Sequence, residues 1–457
     1  MRNFKSCEVN NTLKKYLPIL TLILILTLAP VLISTPALAI EAQREVLPNG
    51  LILLFSERDN LPIVKATLLI KASPLNEPAE KAGLANLTAE LLMEGTKSKT
   101  SEDISEGIEF IGAGLDVSVD RDYTEISLSV LKKDIRRGLE ILSDVLLNPT
   151  FPGKEISRKK AIIKGSLRQM EEDPGFVASR KFRSAIFGTH PYGRLVEGRN
   201  ETIDSITRND IVKFYNTYYH PNNAILSIVG DLNKKEVRDL VEKYLYGWKK
   251  APIPEVKKFT VTPRGKPLVI TVDRKLTQAN IILGNPGIKR SNPDYYAVSV
   301  MNYILGGGGF ASRLMAKIRD DMGLAYDVRS AFSSDKYAGV FYVGVQTKNG
   351  SARKVIDVIL EEIKRIRNEP VTTEELSDAK AYLTGSFPRR LDTMGKIAGF
   401  LALTEFYGLG IDYDMNYPEY INAVTKEDVQ RVARKYMDPE DYVLVVVADI
   451  KKTGIQK

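Results

Sequence analysis

A chain of 457 residues is longer than one typical core and suits two or three domains, with 44% hydrophobic and 27% charged residues as in ordinary globular proteins. The net charge of +8 draws three units from Arg2, Lys5, Lys14 and Lys15 against Glu8; no block of like charge or basic stripe interleaved with aromatics follows, which argues against nucleic acid as a partner. One cysteine, Cys7, and two histidines, His190 and His220, exclude a disulfide framework and any H-x-x-E-H or H-x-x-x-H zinc motif.

Lys14 and Lys15 precede an apolar run over residues 16–33, and Ala37-Leu38-Ala39 then offers the small-x-small pattern of a signal-peptidase site. Residues 1–39 are expected to be a secretory signal, which makes the mature chain periplasmic or extracellular. The alternative is an uncleaved membrane tether, and only through this segment would the chain meet a membrane. Once Cys7 is removed with the signal, the exported chain has no thiol and depends on its cores for stability.

Over residues 83–96, Leu84, Leu87, Leu91 and Leu92 recur at helical spacing and predict a helix with one core-facing side. Asn86, Glu90 and Glu94 mark another side, either a solvated face or an oxygen-rich metal site. Residues 125–130 alternate as a strand, and residues 134–146 predict a helix that ends at Asn148-Pro149. His190 precedes Pro191 and His220 precedes Pro221; neither has a partner at ligand or triad spacing, and both read as turn residues. Residues 210–215 predict a helix that leads through a proline-bearing turn into an apolar strand at 224–231. The charged, proline-bearing stretch after Lys249 has no apolar period and reads as a linker, with its core at 251–262.

Beyond it, Gly306, Gly307, Gly308 and Gly309 form a glycine run that lacks the G-K-[ST] of a phosphate loop. Arg319 and Tyr326 follow. A guanidinium and a phenol are both donors able to orient a peptide carbonyl and stabilise an oxyanion, and Gly323 as a helix cap would reverse the chain between them. The bland alternative is a surface arginine and a half-buried core tyrosine. Residues 340–345, 352–367 and 427–449 then repeat the strand, the helix and the helix-turn-strand of the first half, at a period of about two hundred residues. The pattern predicts an α+β chain of two homologous domains, 40–250 and 263–457, each a mainly antiparallel sheet packed with helices.

The helix at 83–96, the glycine run and the Arg319/Tyr326 pair resemble peptidase family M16, the family of pitrilysin, insulinase and mitochondrial processing peptidase. In that family the helix carries H-x-x-E-H, and a glutamate on a later helix is the third zinc ligand. Here the three reactive positions hold Asn86, Ala89 and Glu90, and the third ligand's expected place, 161–168, lies in a stretch with no acidic residue between Glu155 and Glu171. An amide oxygen is a poor zinc ligand and a methyl group accepts no proton, so no metal is expected in this chain. The family's glycine stretch and its arginine and tyrosine match Gly306 to Gly309, a substrate-binding assignment, and Arg319 and Tyr326, a catalytic one. The resemblance implies a non-zinc subunit of an exported heterodimeric zinc endopeptidase that acts on peptides. Its partner would be an H-x-x-E-H subunit of similar length that holds the zinc. A non-proteolytic structural or peptide-binding module of the same fold is the alternative.

Overall fold

The computed structural model describes residues 40–455, so the signal reading of 1–39 lies outside the described residues. The first sheet has β1 (Gln43–Val46), β2 (Ile52–Glu57), β3 (Ile63–Ile70), β4 (Gly114–Val119), β5 (Thr124–Leu131) and β6 (Ala224–Gly230), in the order β1-β2-β6-β3-β5-β4. The second has β7 (Leu268–Asp273), β8 (Gln278–Pro286), β9 (Ala325–Ser334), β10 (Gly339–Lys348) and β11 (Val443–Ala448), in the order β7-β11-β8-β10-β9. Each sheet contains a single parallel pair, β2 with β6 and β7 with β11, and is otherwise antiparallel. With β1 set aside, the two orders match strand for strand: the repeat in the sequence is one topology used twice.

The helices used below are, in the first half, α1 (Leu84–Glu90), α2 (Ile135–Leu147), α3 (Gly153–Met170), α4 (Pro174–Phe187) and α5 (Arg208–Tyr218); in the second, α6 (Ala352–Asn368), α7 (Met394–Tyr407) and α8 (Lys426–Tyr436). The repeat extends to local chemistry. Both α5 and α8 start in capping boxes, Thr207 with Asp210 and Thr425 with Asp428, in which the hydroxyl accepts the third residue's N–H and the carboxylate accepts the cap's.

Strands β6 and β11 are buried along their whole length. A strand shielded on both faces loses the usual polar alternation, and this accounts for their continuous apolar runs. On β11, Leu444, Val446 and Ala448 enter the core beneath the second sheet, whereas Val443, Val445 and Val447 meet Val177, Phe182 and Ile186 of α4. That covering helix comes from the first half. Reciprocally, α7 of the second half lies on β6 and β3 of the first sheet. Residues 248–264 form neither helix nor strand, and Val256, Phe259 and Val261 pack beside α4. The chain thus divides into two sheets by sequence, while on each sheet's second face the central strands are covered by a helix of the other half.

The halves also meet at equivalent turns. Asp122, between β4 and β5, accepts the N–H of Lys336, between β9 and β10, at 2.9 Å, and it accepts the Tyr192 hydroxyl as well. Burial pushes the Asp122 carboxyl up to about 6, against the opposing pull of those hydrogen bonds. The Lys336 ammonium reaches on to the carbonyl of Phe406 in α7 at 2.5 Å.

Candidate functional site

The predicted helix at 83–96 is α1, entered through Gly83 at φ 96° and continued as a 3-10 turn over Leu91–Glu94. Leu84, Leu87, Leu91 and Leu92 are all buried, so the packing face is complete. The N-terminus is held by a buried carboxylate: Glu77 accepts the N–H groups of Gly83 at 3.0 Å and Ala85 at 2.9 Å, donors that a helix start leaves unpaired. Burial pushes Glu77 up to about 7.

The reactive face is filled with its own ion pairs. The Asn86 amide donates to Glu90 Oε1 at 2.9 Å, and Ala89 is buried with no polar group to offer. From α3, Lys159 Nζ lies 3.6 Å from Glu90 Oε2 and 3.0 Å from Glu94 Oε1. Arg158 pairs with Glu94 too, and with Glu155 at 2.6 Å. Sequence reasoning missed Lys159. The only signal was a cationic run, Arg158-Lys159-Lys160, on the helix expected to carry an acidic ligand.

Arg319 and Tyr326 are brought together as the sequence predicted. Gly323 adopts φ 59°, a left-handed backbone that a side chain would strain. Its N–H donates to the Arg319 carbonyl at 3.0 Å and the Leu324 N–H to that of Ile318 at 2.9 Å, which ends the helical segment and turns the chain into β9. The guanidinium then stands between two rings, its carbon 4.5 Å from the Phe310 centroid and 5.5 Å from the Tyr326 centroid, with Asp320 Oδ1 at 3.2 Å. Tyr326 is 86% exposed and Phe310 69%, which rules out a half-buried core tyrosine. Both Arg319 and Tyr326 line a cleft of about 670 Å³ floored by β8 and β10, to which α4 contributes Gly175 and Ala178. Asn86, Ala89 and Glu90 do not line it. The two groups of predicted site residues form separate places on the molecule.

In the glycine run only Gly306 is buried. A Cβ on Gly306 would stand 2.7 Å from the Ser330 backbone nitrogen, and Gly307 and Gly308 press on Asn302 and Tyr303. Gly309 faces open space, and none of the four lines the cleft. His190 is buried among Phe187, Tyr192 and Phe259, and its Nδ1 accepts the Tyr192 N–H at 3.1 Å. Burial holds its imidazole down at about 4. Both nitrogens of His220 face backbone carbonyls, Lys249 at 2.9 Å and Asn216 at 2.8 Å, as befits a turn residue.

The molecule is thus a doubled α+β chain with a neutralised helix face in one half and an arginine–tyrosine cleft in the other. Residues 53–199 match the description Insulinase (Peptidase family M16), and residues 205–383 match Peptidase M16 inactive domain. The chain belongs to peptidase family M16. Among its relatives, an uncharacterized zinc protease of Streptomyces coelicolor is 29% identical over 405 residues, covering 86% of each chain. A protein of Helicobacter pylori named non-peptidase homolog YmxG is 26% identical over 402 residues, covering 87% of this chain and 92% of that one. The crystal structure of a peptidase M16 inactive domain from Pseudomonas fluorescens has a TM-score of 0.83 at 27% identity, covering 89% of this chain and 98% of that one.

The zinc that the family implies does not fit this chain. The amide of Asn86 is spent on Glu90, a lysine ammonium stands against both carboxylates, and among the described residues no three His, Cys, Asp or Glu side chains gather as ligands.

Proposed function

We propose that this chain is the non-zinc subunit of an exported two-subunit M16 endopeptidase, in which it forms part of the peptide chamber and presents Arg319 and Tyr326 to a partner's site. One contrast carries the reading: the face where the family binds zinc is neutralised by Lys159 and Arg158, while Arg319 and Tyr326 stand exposed at a cleft. In such an assembly zinc, held by an H-x-x-E-H partner, polarises the scissile carbonyl and its attacking water. This chain's part is to donate hydrogen bonds from the guanidinium and the phenol to the peptide oxygen, where negative charge develops.

The test is reconstitution with an H-x-x-E-H protein encoded beside this gene. The chain alone should carry no stoichiometric zinc and cleave no peptide, and the mixture should cleave. Arg319→Ala should then lower kcat about a hundredfold, the size of losing one oxyanion donor. Undiminished cleavage by that variant would remove Arg319 from the chemistry. A second reading, a non-proteolytic module of the same fold, is favoured by the name of the Helicobacter pylori relative. A stable complex whose partner also lacks a zinc motif would establish it.

A further inference from the structure

The outer face of the second sheet is only partly covered. Helix α4 lies over β11 and β8, and past its first turn the floor of the cleft is left open. Strand pairing sets Gln278 opposite Lys348, Asn280 opposite Gln346 and Ile282 opposite Gly344. Side chains alternate along a strand, so these six share one face. The residues between them, including Ala279, Ile281, Val345 and Thr347, point the other way and are buried.

The polar groups on this face are uncommitted. The carboxamides of Gln278, Asn280 and Gln346 have no hydrogen-bond partner among the described residues, and the Lys348 ammonium has no ion pair. Nothing stands within 4 Å of a Cβ built on Gly344, so the floor is unobstructed there. Charge on the rim is unequal. Asp327 is held by Arg329 at 2.9 Å and Arg319 by Asp320 at 3.2 Å, which leaves Lys348 as the unpaired charge among the described residues that line the cleft.

A carboxamide offers both a donor and an acceptor, the same pair of groups that a peptide unit offers. Gln278 to Ile282 spans about 13 Å, the length of about four residues of extended chain. We propose that this floor binds an extended acidic peptide, with Gln278, Asn280 and Gln346 bonding its main chain and Lys348 holding one of its carboxylates. The site rests on the reading of this chain as a peptide-handling subunit and specifies what that subunit prefers. A carboxylate near Lys348 gains a charge-assisted bond, whereas a lysine there meets repulsion.

Fluorescence anisotropy on the isolated chain tests it, with three short labelled peptides in which serine alternates with glutamate, glutamine or lysine. The glutamate peptide should bind tightest and lose affinity as salt is raised. Lys348→Gln should erase its advantage over the glutamine peptide and leave the latter's affinity unchanged. Removal of two amide contacts in Asn280→Ala with Gln346→Ala should weaken both peptides about tenfold or more. Gln346→Glu, an exposed change beside Lys348, should cancel the rim's positive charge and remove the glutamate peptide's advantage over the lysine peptide. The proposal fails if wild-type chain binds none of the three, if the double variant binds the glutamate peptide as well as wild type, or if Lys348→Gln retains the preference. Binding is read here without cleavage, so a partner left inactive by this chain refutes the subunit reading and not this site.

Discussion

The faces at Asn86/Glu90 and at Arg319/Tyr326 differ in how their polar groups are engaged. On α1 every polar group is committed: the amide to a carboxylate, the carboxylates to Lys159 and Arg158. In the second-half cleft, Tyr326 and the carboxamides on the floor engage no hydrogen-bond partner among the described residues. Acidic groups that stay half-buried must be neutralised, and two cations from α3 do this. Exposed groups, in contrast, are met by water and need no such partner. The lesson is that the charges on the α1 face are compensated between elements, by α3, whereas at the cleft the ion pairs of Arg319 and Asp327 are with near neighbours in sequence and the floor carboxamides stay unengaged.

The comparison can be broken most severely at the element that joins the halves. Phe182→Ala removes a buried ring of α4 from the second sheet and should cost about 3–5 kcal/mol, measured by chemical denaturation. Both halves should unfold together, because the helices are exchanged; two separate transitions would show that the exchange carries little energy.

Next is Asp122, whose carboxyl is raised from 3.8 to about 6 in the folded chain. A raised carboxyl binds its proton more tightly when folded, so its stabilising contribution is full below 3.8 and is lost as pH rises through 6. Asp122→Asn cannot titrate. The stability of wild type relative to this variant should therefore grow on the order of 1–3 kcal/mol between pH 7 and pH 4, and a flat difference would place the charge elsewhere.

Lys159→Ala should destabilise by about 1–3 kcal/mol, since Glu94 is left with Arg158 alone, whereas Lys348→Ala should stay within about 0.5 kcal/mol. Equal effects would erase the distinction between a committed face and an available one. The smallest expected effect comes from restoring the motif: Asn86→His with Ala89→Glu and Glu90→His should still bind no stoichiometric zinc by atomic absorption, because residues 161–168 offer no carboxylate as a third ligand and the Lys159 ammonium remains beside the helix face. Stoichiometric zinc in that variant would mean that the ion pairs yield readily.

Much of this was legible in the sequence because it rests on local patterning. Hydrophobic period set the packing face of α1 and the apolar runs of β6 and β11; the helix, proline-bearing turn and apolar strand at 210–231 and again at 427–449 marked the repeat; Gly323 marked the reversal that sets Tyr326 beside Arg319. The absence of histidine pairs excluded the zinc motif from composition alone. Tertiary structure alone decided which distant residues became neighbours. Lys159 against Glu90, Asp122 against Lys336, and α4 and α7 laid on each other's sheets are contacts between residues far apart in the chain. The same holds for the amide floor, since Gln278, Asn280 and Gln346 look like ordinary surface residues until β8 and β10 pair in register. Periodicity records which way a side chain points relative to its own element, and only packing determines what it meets there.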